Sequence, residues 1–160
     1  MGVPVLGSVS ADTMAAITAV SVSTGARLKI GEARDRSLPD LIAVPPQRNI
    51  LTVIPGPHLD RFASTALQGL TSTQWTVENN SRVGVRLAGG NIELADGSAS
   101  AASEPMVVGA LQVPPNGSPI ILGRDHPVTG GYPVIAVVDD VSMSQALVAA
   151  IGATLSFRLG

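Results

Sequence analysis

Residues 103–138, SEPMVVGALQVPPNGSPIILGRDHPVTGGYPVIAVV, decide the fold. Three short apolar runs lie here: Met106–Val113, Pro119–Leu122 and Pro133–Val138. Each is rich in Val, Ile or Leu and bounded by Gly, Pro, Asn or Asp, which is the pattern of short strands. Pro115-Asn116-Gly117 joins the first two. Proline presets φ for a turn, and Asn and Gly accept the positive φ that closes a hairpin. The link between the second and third runs, Arg124–Tyr132, gathers an acid, an imidazole, a hydroxyl, a double glycine and the single tyrosine. It is the first candidate for a functional loop, because loops held by strand ends commonly carry function.

The same punctuation extends outward. With 160 residues the chain suits one domain that can bury a core without staples. Twelve prolines and seventeen glycines favour many turns and short strands over long helices. Phe62, Trp75, Tyr132 and Phe157 are the only aromatics, so the core must be aliphatic. Thr24–Gly31, Asn49–Ile54, Gln74–Val77, Arg82–Leu87, Ile92–Leu94 and Ala153–Leu159 read as further strands, with Glu78–Ser81 and Ala88–Asn91 as turns. Glu32–Arg48 reads as a surface linker and Asp96–Ala102 as a small polar loop. Helical spacing predicts a helix from Pro57 to Leu70 and another over Ser142–Ile151 capped by Ser142. This is a mostly β chain with two short helices, a closed or nearly closed barrel, with a β-sandwich as the alternative.

Several classes are excluded. A net charge of −2 without a basic stripe argues against a nucleic-acid surface. The absence of cysteine removes disulfides, thiolate metal sites and cysteine nucleophiles. His58 and Asp60 suggest a metal pair, but two ligands make no site, so no metal is expected. Gly2–Val22 lacks the basic start of a signal peptide, and no run suits a membrane helix, so the expected location is cytoplasmic.

Candidate site residues follow from side-chain chemistry. Asp125 and His126 are adjacent; Asp125 either orients substrate and polarises a proton-moving His126, or caps the Gly130-Gly131 turn. Thr129 precedes that double glycine, whose backbone is either an anion-binding nest or a tight turn of positive φ. Tyr132 lines a pocket or fills core. Gln112 places an amide inside an apolar run and needs partners, whether substrate or strand backbone. Glu104 is either an acid/base or amide-binding group or a solvated loop acid. Arg82 and Arg86 lie an even distance apart, share a strand face, and either clamp an anion or face solvent or a partner.

The ordered motifs Ser103-Glu104-x-Met106-Val107-x-Gly109-Ala110-x-Gln112-Val113-Pro114-Pro115-x-Gly117 and Asp125-His126-x-x-Thr129-Gly130-Gly131-Tyr132-Pro133 resemble the allophanate hydrolase subunit 2 family. That family is also called KipA-like, or the C subunit of 5-oxoprolinase, and it includes part of the urea carboxylase carboxyltransferase domain. Asn80–Leu87 is similar to its Ser-Asn-Arg-x-Gly-x-Arg-Leu run with the first two residues exchanged. Pro4–Ser8 and Ser10–Thr13 match a segment near the middle of a family domain about twice as long, so the resemblance covers its second half. Pro127 and Val128 stand where the family typically has Gln and Thr, which removes two polar side chains from the loop.

The resemblance implies a cyclophilin-like barrel. It implies a subunit acting on a lactam, amide or urea-derived substrate beside a KipI-like (allophanate hydrolase subunit 1) partner and a lactam-handling third subunit. ATP, or biotin in urea carboxylase-type relatives, belongs to such a complex, and nothing in this chain alone supplies a site for either. The other implied role is a non-catalytic KipA-like module that antagonises a KipI-like histidine kinase inhibitor.

Overall fold

The computed structural model describes residues 24–27, 49–96, 98 and 102–160. Thr24–Arg27 form an exposed turn at Gly25, so the strand expected from Thr24 does not begin there, and its remainder lies outside the described residues, as does the 32–48 linker. The elements below belong to the unit Val44–Gly160.

Nine strands are described: β1 Ile50–Pro55, β2 Trp75–Asn80, β3 Gly84–Ala88, β4 Glu104–Pro105, β5 Ala110–Gln112, β6 Ile120–Leu122, β7 Thr129–Gly130, β8 Val134–Val138 and β9 Thr154–Leu159. Seven close into a barrel in the order β1-β8-β5-β6-β3-β2-β9. Every pairing in it is antiparallel except the closing one, where β1 runs parallel to β9 with Ile50 opposite Ser156 and Val53 opposite Leu159. Alternation explains which side chains face inward. Leu51 and Val53, Trp75 and Val77, Val85 and Leu87, and Leu155 and Phe157 are buried, and their sequence neighbours are largely exposed. A sandwich is therefore excluded.

On β5 and β8 both faces are buried, because the two-stranded β4–β7 ribbon covers part of the outside. Ala110, Leu122 and Val134 form a second small cluster there with Met106, Ile120 and Val137. The turn between β5 and β6 closes as expected: Gly117 N–H donates to the Pro114 carbonyl, and Gly117 adopts φ of 73°.

The helices depart from the sequence reading. The segment expected as one helix from Pro57 to Leu70 is a 3-10 turn at Leu59–Arg61, an extended Phe62, and α1 at Ala66–Ser72. Phe62 is drawn into an isolated bridge with Leu94, flanked by Ala63 N–H to Glu93 O and Ala95 N–H to Arg61 O. Residues 92–94 contribute that single bridge rather than a strand. The second helix, α2, is Asp140–Ala146, and its cap is Asp139, whose carboxylate accepts from Ser142 N–H at 2.6 Å. Ser142 is buried inside the helix, and its hydroxyl accepts from Thr52 N–H of β1 at 2.9 Å. Among the described residues no helix is long and apolar enough to cross a membrane.

Candidate functional site

The β2–β3 connection and the β6–β7 loop meet at one end of their strands. Asp125 N–H donates to the Arg82 carbonyl, and Gly123 N–H to that of Val83, which fixes the loop against the connection. The side chains then pair: Arg82 Nε lies 2.6 Å from Asp125 Oδ2 and Nη2 3.1 Å from Oδ1, a bidentate fork. The hydrogen bond from Arg82 holds the Asp125 carboxyl below the usual carboxylate range and raises the guanidinium in return. Asp125 therefore does not cap the double glycine. Nor does it polarise His126, whose Nδ1 donates to the Pro127 carbonyl at 2.7 Å.

Two clefts flank this pair. The larger, about 590 Å³, is lined by Asn80, Ser81, Arg82, Arg124 and the Leu147–Ala149 segment after α2. The smaller, about 250 Å³, includes Ser81, Gly84, Arg86, Gln112, Pro127 and Tyr132. The candidate residues divide between the two: Arg82 and Arg124 line the first cleft, and Arg86, Gln112 and Tyr132 the second.

Gln112 is only 7% exposed. Its Nε2 donates to the Tyr132 carbonyl and contacts Met106 Sδ, both at 3.2 Å. The β4–β7 ribbon, pairing Glu104 with Gly130 and Pro105 with Thr129, lies against it. A Cβ on Gly130 would stand 2.5 Å from Gln112 Nε2 and 3.1 Å from Met106 Cγ. Neither Gly130 nor Gly131 has a positive φ, so the glycine at 130 serves close approach rather than a left-handed turn. Arg86 projects from the outer face of β3, 3.9 Å from Glu78.

Glu104 is placed elsewhere, paired with His58, whose Nε2 lies 3.0 Å from Glu104 Oε1. His58 Nδ1 accepts from Val134 N–H at 3.0 Å. In sequence His58 reads as half of a metal pair with Asp60. Nothing local signals its pairing with Glu104, because His58 sits on the turn after β1 and Glu104 on β4, far along the chain. Among the described residues no group of three or more possible metal ligands forms.

The carboxyltransferase domain model, subdomain A and B, matches residues 2–159. The chain belongs to that family. It is 34% identical over 118 residues to the C subunit of 5-oxoprolinase from Haemophilus influenzae, covering 73% of this chain and 38% of the relative. It is 30% identical over 159 residues to the C subunit of 5-oxoprolinase from Escherichia coli, covering 96% of this chain and 51% of the relative. The chain therefore spans about half, or less, of the length of these carboxyltransferase-domain relatives. Among solved structures, the Kluyveromyces lactis urea amidolyase superposes with a TM-score of 0.63 at 26% identity, over 68% of this chain and 7% of that one.

The larger cleft does not suit a triphosphate: its two cationic lining residues are Arg82 and Arg124, and Asp125 occupies the first. No step through ATP or biotin is assigned to this chain.

Proposed function

We propose that this carboxyltransferase-family chain forms one wall of the substrate surface in a 5-oxoprolinase- or allophanate hydrolase-type complex. Its substrate is a lactam, an amide or a urea-derived compound, and its partners are a KipI-like subunit and a lactam-handling subunit. The observation that carries this reading is the Gln112 amide. It is buried and oriented by Tyr132 O and Met106, and it borders a cleft shared with Arg86 and Tyr132. With both Nε2 hydrogens engaged by Tyr132 O and Met106 Sδ, the carboxamide keeps Oε1 as an acceptor, which suits the N–H of a lactam, amide or urea. Arg86 supplies the positive charge for a substrate carboxylate. The Arg82–Asp125 fork pins the loop that carries Pro127 to the connection that carries Ser81 and Val83, all three of which line that cleft, and His126 keeps Nε2 free to accept a proton.

The test is co-expression with the neighbouring KipI-like and lactam-handling subunits, followed by purification and ATP-dependent 5-oxoproline turnover. A complex whose turnover falls by about tenfold or more in Gln112→Ala supports the reading, since loss of a polar substrate contact costs on that order. A complex that forms, relieves inhibition of a histidine kinase and turns nothing over supports the binding-module role instead.

A further inference from the structure

Beside the β4–β7 ribbon lies a recess of about 160 Å³ that shares no lining residue with the Gln112 cleft. Its walls are hydrocarbon, from residues such as Pro57, Met106, Val107 and Val137. Two polar side chains reach it, His58 and Glu104. Their hydrogen bonds fix the protonation pattern. Val134 N–H donates to His58 Nδ1, and a nitrogen that accepts such a bond carries no proton. The ring proton therefore sits on Nε2 and is donated to Glu104 Oε1. Both nitrogens of a neutral His58 are occupied, so the ring cannot take a proton from a ligand or bind a metal. What it does is orient the carboxylate.

Glu104 is left with free lone pairs and, among the described residues, no cation within ion-pair distance, since its one partner is this neutral ring. Its side chain is 38% exposed, open enough to meet a ligand. A fixed, uncompensated carboxylate at the edge of an apolar recess calls for a cation that donates N–H bonds and carries a hydrocarbon body. We propose that this recess binds a small alkylammonium ion, with Glu104 as the anionic acceptor and His58 as the positioning residue. The site is independent of the role assigned to Gln112.

The test is NMR titration of the full chain, reading the Met106 methyl and His58 ring signals. The probes are isobutylammonium chloride and isobutanol, its uncharged analogue of the same shape. Saturable shifts are expected with isobutylammonium, and binding of isobutanol about tenfold weaker or worse, the size of one charge-assisted contact. Glu104→Gln should weaken isobutylammonium binding by a similar factor, while Arg86→Ala on the other cleft leaves it unchanged. His58→Ala should weaken it several-fold. His58→Gln should restore it, because a carboxamide can accept from Val134 N–H and donate to Glu104. Equal binding of the two probes to the unsubstituted protein overturns the proposal even if a variant fails to fold. Unchanged binding in Glu104→Gln does the same, and unchanged binding in His58→Ala removes the positioning role.

Discussion

At the scale of single residues, the Arg82–Asp125 fork is an exposed pair, with side chains 82% and 48% accessible. Exposed pairs contribute little stability, so Asp125→Ala should leave the denaturant midpoint nearly unchanged. Its effect belongs to acid titration. The Asp125 carboxyl is held down by the hydrogen bond from Arg82, so the pair's contribution is present above the unfolded carboxylate value of about 3.9 and is lost as pH falls through the lower folded value. Arg82→Ala should remove that acid-dependent increment. An identical stability profile below pH ~4 in parent and variant would show that the fork does not persist in solution. Gly130→Ala tests a different contact. The backbone there suits any residue, but the new methyl must displace the Gln112 amide. Overpacking of this kind costs about 1–3 kcal/mol, and the Gln112 side-chain amide resonances should shift while those of distant β9 stay in place. Neither contact is legible in sequence: Arg82 and Asp125 are 43 positions apart, and the double glycine reads equally well as a turn.

At the scale of elements, alternation made the strands legible, because a half-buried strand writes its own period into the chain. Pro119–Leu122, Pro133–Val138 and the Pro115–Gly117 turn stand where that pattern puts them, but of Met106–Val113 only Ala110–Gln112 is strand, because the chain turns just before it at Gly109, with φ of 85°. The helices were less legible, since their ends depend on tertiary partners. The extended Phe62 interrupts a segment of helical spacing because Leu94 and its neighbours offer a bridge. Ser142 resembles a cap but lies within the helix, where Asp139 caps it and Thr52 N–H claims its hydroxyl. Ser142→Ala should therefore cost about 1–3 kcal/mol, the penalty for stranding a shielded donor, and Asp139→Ala about 1 kcal/mol, the worth of an N-cap. Urea unfolding of the two variants checks this order. At the other end of α2, Asn80 Nδ2 donates to the carbonyls of Ala146, Leu147 and Ala149, fastening the segment that walls the larger cleft. His58 was legible neither by period nor by motif, because its meaning arises only where β4 and β8 converge.

At the scale of the whole molecule, the barrel depends on its last strand. β9 pairs parallel with β1 and antiparallel with β2, so without it both of those strands would expose an unpaired edge. Among the described residues no barrel strand has a free edge, which removes one route to edge-to-edge association. The run of short strands suggested a barrel, with a sandwich as the alternative, but the closing register was not readable, because a parallel contact between β1 and β9 leaves no mark on the turns between them. Closure of this kind brings its loop entropy late and couples both ends of the sheet into one transition. Phe157 stands on the inner face of β9 at 3% exposure, opposite Leu51 of β1. Phe157→Ala should cost about 3–5 kcal/mol from transfer and cavity terms, a large share of the 5–15 kcal/mol or so that holds a domain folded. Val148→Ala, at a 71% exposed position, is the control and should stay within about 0.5 kcal/mol. If closure is part of the cooperative unit, tryptophan fluorescence from Trp75 and far-ultraviolet circular dichroism should report one shared, lowered midpoint in Phe157→Ala. If β9 merely docks on a barrel already formed, its loss would appear as a separate early transition in circular dichroism, with the Trp75 signal keeping the parent midpoint.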